Sequence, residues 1–162
     1  MPKKKKTKVE KAPMYTDFFN QLKSYIEKYG EKTILLWQCG GFYETYALYN
    51  PETNDYTEGK YQIETLHTTC DCSIVPKTGQ TFRGKPLHMA GIPTFADIER
   101  YIDKLKSEGF TIILVVEVGE NPKTKAKIRE RAGIFSPGTH FNVNSKAISN
   151  DIMCIWLEKR EK

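Results

Sequence analysis

Residues 110–118, Phe-Thr-Ile-Ile-Leu-Val-Val-Glu-Val, constrain this chain more than any other stretch. Six of the nine are β-branched, which favours a strand, and from Ile112 to Val116 there is no polar side chain to turn toward water. A strand that is apolar on both faces belongs inside a sheet, with a layer packed on each side. The segment before it supplies one such layer. Ile98, Tyr101, Ile102 and Leu105 recur at helical spacing, Thr94 and Asp97 offer a capping box, and Gly109 offers a stop. A helix that feeds through glycine into a doubly buried strand points to an α/β fold.

The rest of the chain extends that pattern. Pro13 precedes Tyr15, Phe18, Phe19, Leu22, Ile26 and Tyr29, which predict a helix over 14–29 ending at Gly30. Residues 33–38 read as a strand, Gly40 and Gly41 break it, and 42–48 read as a second, aromatic-rich strand. Residues 50–59 are turn formers and predict an exposed loop; 60–69 predict a short helix, 71–76 a strand and 77–86 a loop. Residues 121–131 are basic and open with Asn-Pro, Ser136-Pro137-Gly138 is a turn, and 152–157 read as a strand. The order helix, strand, strand, helix, strand, helix, strand predicts an α/β fold with a single mixed β-sheet flanked by helices. Residues 1–12 are expected to be a disordered basic tail, and the body is expected over 13–142. The strand at 152–157 either pairs with the main sheet or begins a second domain.

Composition bounds the class. A chain of 162 residues with 39% apolar and 28% charged side chains can bury one core and is neither collagen-like nor disordered as a whole. The net charge of +5 is unevenly placed. Residues 1–11 hold six lysines and one glutamate, so the other 151 residues, with 19 basic and 19 acidic side chains, are neutral. No apolar run approaches the ~18 residues of a membrane span, and the lysines at the start are not followed by the apolar stretch of a secretory signal. Cys39, Cys70, Cys72 and Cys154 are too few and too scattered for a disulfide framework, which predicts a reducing, intracellular setting.

Five motifs bear on function. Gly79-Gln-Thr-Phe-Arg-Gly84-Lys85-Pro86 matches phosphate-loop spacing up to the lysine, but Pro86 cannot hold magnesium and no helix follows. His67, Cys70 and Cys72 are close in sequence, yet Cys39, Cys154, His88 and His140 lack the paired spacing that would complete a zinc site, so buried free thiols are expected. Glu52, Glu58 and Lys60 resemble the acidic-acidic-lysine set of metal-dependent nucleases, although that set needs an apolar strand and here the stretch is polar. Lys123, Lys125, Lys127, Arg129 and Arg131 alternate with small or apolar residues; with Glu130 they give residues 123–135 a charge of +4, suited to phosphate contacts if extended. Finally, Gly40-Gly41-Phe42-Tyr43-Glu44 sets an aromatic ring and a carboxylate on one strand face, just past a turn that allows close backbone approach.

At that last motif the sequence resembles the N-terminal, mismatch-recognition domain of the MutS family of DNA mismatch repair proteins. The leading helix and the strand into Gly40-Gly41-Phe42-Tyr43-Glu44 are similar to the family's opening. Pro86-Leu-His-Met-Ala-Gly-Ile-Pro93 resembles its Pro-Met-Ala-Gly-Ile/Val-Pro segment, and the helix with Tyr101, Leu105 and Gly109 leads to Val115-Val116-Glu117 as in the family. Residues 117–139, ending Ser136-Pro137-Gly138-Thr139, resemble its Glu-Gln-x-x-Asp-Pro to Thr-Pro-Gly-Thr stretch. Together these cover about residues 14–140. The chain departs from the family pattern at Gly41, where a polar residue is usual, at Thr94-Phe95 in place of Tyr-His, at Val118, and in longer loops at 50–59 and 77–85.

The resemblance implies that Phe42 enters the minor groove and stacks on a mispaired base while Glu44 hydrogen-bonds to it. Phosphate charge nearby favours a protonated carboxyl that donates to the base. Gly40 and Gly41 form the presenting turn, and Lys77 with Lys123, Lys125, Lys127, Arg129 and Arg131 would contact the DNA backbone. The implied partners are double-stranded DNA with mismatches or small loops and the remainder of a MutS-like chain, dimeric at full length. ATP and magnesium are expected in an ATPase domain elsewhere in such a protein, with no cofactor and no catalysis in this fragment. The strand at 152–157 then resembles the opening of the family's connector domain, preceded by a linker from 143. The alternatives are a metal-dependent nuclease using Glu52, Glu58 and Lys60, and a fold relative that binds DNA without mismatch specificity.

Overall fold

The computed structural model describes residues 12–138. The lysines of the expected tail, and the expected linker and strand at 143–162 with Cys154, lie outside the described residues, as does His140. Helix α1 (Ala12–Tyr29) begins at the last residue assigned to the tail. It is followed by β1 (Thr33–Cys39), β2 (Phe42–Asn50), β3 (Asp55–Glu58), α2 (Lys60–Cys70), β4 (Val75–Phe82), β5 (Lys85–Pro93), α3 (Ile98–Ser107), β6 (Thr111–Glu120) and β7 (Lys127–Phe135).

The strands make one mixed sheet in the order β4-β5-β2-β1-β6-β7, with β3 paired to β2. Among the described residues only β1 and β6 run parallel, in register from Thr33↔Thr111 to Trp37↔Val115. The expected α/β fold with a single mixed sheet is what forms. The 110–118 run behaves as its composition requires: Ile112 and Leu114 face one core, Ile113 and Val115 the other. On the first face lie α2 and α3, through Ile63, Leu66, Ile102 and Leu105. On the second lies α1, whose Tyr15, Phe18, Phe19 and Leu22 pack on Leu35, Trp37, Tyr46 and Leu87. Among the described residues, no helix is long and apolar enough to cross a membrane.

β2 pairs with β1 only from Phe42 to Glu44 and with β3 from Leu48 onward. Where β2 leaves β1, the buried side chain of Gln62 takes over: it accepts from Leu35 N at 3.0 Å and donates to Thr33 O at 2.6 Å. A buried amide thus satisfies strand backbone that would otherwise be stranded.

Four expectations need correction. The strand placed at 71–76 starts at Val75, and the loop placed at 77–86 is a hairpin of β4 and β5, turned at Arg83 and Gly84 with φ of 49° and 73°. Pro76 and Gly79 disguise β4, but it is an edge strand, where both are tolerated. The loop placed at 50–59 holds β3, a four-residue strand whose polar sequence is stabilised by its pairing to β2. The basic segment, to which the sequence assigns no element, is extended from Lys127 onward as β7, antiparallel to β6. Helix α3 is capped by Asp97, which accepts from Arg100 N at 3.4 Å; Thr94 is engaged elsewhere.

Candidate nucleic-acid interface

The strand directions bring three connections to one end of the sheet: the Gly40-Gly41 turn between β1 and β2, the exit of β5 at Pro93, and the β6–β7 hairpin tip at 121–126. Gly40 has φ of 59°, a left-handed conformation that glycine adopts without the Cβ penalty. The turn is braced from both flanks. On one side Gly40 N donates to Glu117 Oε1 at 3.3 Å, and Arg129 holds that carboxylate at 2.8 Å while donating through Nε to Gln38 O at 2.8 Å. The Arg129 guanidinium also lies over the Trp37 ring, 5.6 Å from its centre. On the other side both the N–H and the hydroxyl of Thr94 donate to Gly41 O, at 2.9 and 3.2 Å.

Phe42 leaves this braced turn 42% exposed, a large ring held at the surface by a fixed backbone. Glu44 follows on the same strand face but is buried, at 4% exposure. Its carboxylate accepts from Tyr46 Oη at 2.6 Å and pairs with the Lys77 ammonium. Burial first, and the Glu44 charge second, push the Tyr46 phenol up, so it stays a donor. Lys77 Nζ further lies 5.2 Å from the centre of the Tyr46 ring and 4.0 Å from Cys39 Sγ. Lys77 therefore covers Glu44, a contact the sequence reading did not foresee. Tyr43 points to the opposite face and packs on the α2–α3 core.

A depression of about 590 Å³ opens beside the turn, lined among others by Met14, Asp17, Gly40, Glu117, Lys127 and Arg129. Of the basic run, Arg129 is part of the brace, Lys125 and Lys127 pair with Glu120 at 3.7 and 2.9 Å, and Lys123 and Arg131 are exposed. The structure thus gathers Gly40, Gly41, Phe42, Glu44, Lys77 and Arg129 at one rim, with the lysines on the adjoining hairpin.

The chain is similar to a viral relative of a mismatch repair protein. It is 22% identical over 156 residues to a protein of Acanthamoeba polyphaga mimivirus described as "Putative DNA mismatch repair protein mutS homolog". The match covers 94% of this chain and 13% of that protein, so the chain spans about an eighth of its relative's length. No family model matches the chain.

The other motifs take up separate positions. Glu58 pairs with Arg83 at 2.7 Å, Lys60 pairs with Asp55 at 2.8 Å, and Glu52 sits in the β2–β3 turn. Cys70 and Cys72 are buried free thiols; burial pushes Cys70 up to about 12. His67 Nδ1 lies 2.9 Å from the Cys72 carbonyl oxygen. Among the described residues, no three His, Cys, Asp or Glu side chains are placed to hold a metal ion. Gly79 to Pro86 lies in the β4–β5 hairpin, away from any helix start.

Proposed function

We propose that this chain is the mismatch-recognising DNA-binding module of a MutS-like repair protein, with Phe42 as the wedge. The observation that carries the reading is the exposed Phe42 ring on a turn braced by Thr94 and by the Glu117–Arg129 pair, with a carboxylate two residues along the same face. Inserting a ring between base steps kinks the duplex at a cost of a few kcal/mol in lost stacking. A mispair is already poorly stacked, so the same wedge enters there more cheaply, and deformability becomes selectivity. A rigid turn matters because a wedge that yields transmits no force to the stack.

Glu44 supplies the base contact once Lys77 exchanges the carboxylate for a phosphate, a trade between two anionic partners that duplex DNA makes available. Lys123, Lys125, Lys127 and Arg131 contact the backbone from the hairpin side. The start of α1 lies at this same rim, since Met14 and Asp17 line the depression, and the lysines of residues 1–11 add sequence-independent attraction. On this reading the paired subunit, ATP and magnesium belong to parts of a longer protein.

The test is binding of the chain, by fluorescence anisotropy, to a duplex with one mispair and to its matched counterpart. Phe42→Ala is expected to bring the affinity ratio close to one. Equal discrimination before and after the change overturns the wedge. A ratio near one in the unaltered chain instead marks a relative that binds DNA without mismatch specificity, and magnesium-dependent cutting lost in Glu58→Ala marks a nuclease.

A further inference from the structure

Phe95 is 91% exposed, more than any other large apolar side chain among the described residues. A single exposed apolar residue is ordinary, but this one has a particular setting. Its neighbour Thr94 makes two hydrogen bonds to Gly41 O, and Pro93 is paired directly with Phe42 across β2 and β5. On its other side Ala96 N bonds to Pro93 O and Ala96 packs against the core. The backbone at Phe95 is therefore fixed at both ends, to the same turn that presents Phe42, while its ring makes no use of the fold.

We infer that Phe95 is a second DNA-contacting aromatic, laying its ring against the sugars and base edges beside the step that Phe42 enters. The inference rests on the reading of Phe42 as a wedge. A duplex kinked by one inserted ring opens its minor groove there and exposes apolar sugar and base surface next to the insertion. An aromatic side chain has only two torsions to freeze, so a ring on a fixed backbone buries against that surface at small entropic cost. The occupant is duplex DNA rather than a protein partner, because Phe95 is continuous with the Phe42 turn and shares its end of the sheet with the Lys123, Lys125 and Lys127 hairpin.

The experiment compares Phe95→Ala, Phe95→Tyr and Phe42→Ala in the whole chain, on mispaired and matched duplexes, with thermal unfolding alongside. Phe95→Ala is expected to weaken binding to the mispaired duplex about tenfold, the scale of one lost base–aromatic contact. Phe95→Tyr should restore most of it, and neither change should move the unfolding midpoint. Unchanged affinity in Phe95→Ala overturns the inference, as does a loss that tracks a lowered midpoint. If Phe42→Ala erases the mismatch preference while Phe95→Ala changes nothing, this inference alone fails. If the unaltered chain shows no mismatch preference but Phe95→Ala still weakens binding, the wedge reading fails and the DNA contact stands. If the chain binds no duplex, both fall.

Discussion

Lys77 lies over Glu44 as a nearly buried ion pair, the two side chains being 15% and 6% exposed, and Tyr46 donates to the same carboxylate. Removing one member of such a pair leaves the other charge without compensation, which costs more than the pair itself contributes. Lys77→Ala is therefore expected to lower stability by about 3 kcal/mol, read from the urea midpoint. Combining Lys77→Met with Glu44→Gln should cost clearly less than the two single changes added together. A strictly additive double variant would show that the two side chains do not act on each other.

Arg129 and Lys123 carry the same charge and should behave differently. Arg129 is 11% exposed and spends its hydrogen bonds on Glu117 and Gln38, which hold the Gly40 turn. Lys123 is exposed on the hairpin tip. Arg129→Ala is expected to destabilise the fold by about 2 kcal/mol and to reduce the mismatch preference. Lys123→Ala should leave stability alone and lower the slope of log affinity against log salt by about one. Matching salt slopes for the two variants would contradict this division of roles.

How much of this was legible in the sequence depends on where an element gets its stability. α1, β1, β2, α3 and β6 carry their own apolar periods, because each presents a face to one of the two cores, and their positions follow from residues such as Phe18, Ile34, Leu105 and Ile113. β3, β4 and β7 do not. In β4 only Phe82 is buried, and in β7 no residue is; these strands exist because a neighbour offers a ladder of backbone groups, which no local pattern announces. The site divides the same way. Phe42 follows a Gly-Gly turn and is visible as a ring out of place, whereas the Lys77 cover on Glu44 joins residues 33 apart through a strand the sequence conceals. Arg129 reads as one more surface cation until its register opposite Glu117 is known.

Thiol reactivity gives an independent check on the described core. Burial pushes the Cys70 thiol up to about 12, so at pH 8 it holds no appreciable thiolate, and burial raises Cys72 as well. Cys39 is half-buried and lines the depression at the turn. Alkylation at pH 8, mapped by peptide mass, is expected to modify Cys39 well before Cys70 or Cys72. Rapid labelling of Cys70 in the folded chain would mean that α2 does not pack as described.

Gly59 ties the distal half of β2 to the start of α2, and the site depends on it indirectly. It has φ of 75°, and a Cβ there would run into the carbonyl oxygen of Tyr46 and the backbone of Ala47. Tyr46 is the residue whose phenol donates to Glu44, so a side chain at 59 must push on the strand that aims that donor. Gly79 shares the left-handed conformation, with φ of 72°, but has open space around it. Gly79→Ala should therefore cost only the backbone penalty, about 1 kcal/mol. Gly59→Ala adds a collision with backbone that cannot rotate away, and a loss of about 3 kcal/mol is expected. The check is chemical denaturation of both variants under one set of conditions. Equal midpoints would mean that the approach of α2 to β2 at Tyr46 is looser than described, and the position of the Tyr46 phenol on Glu44 would then lose its support.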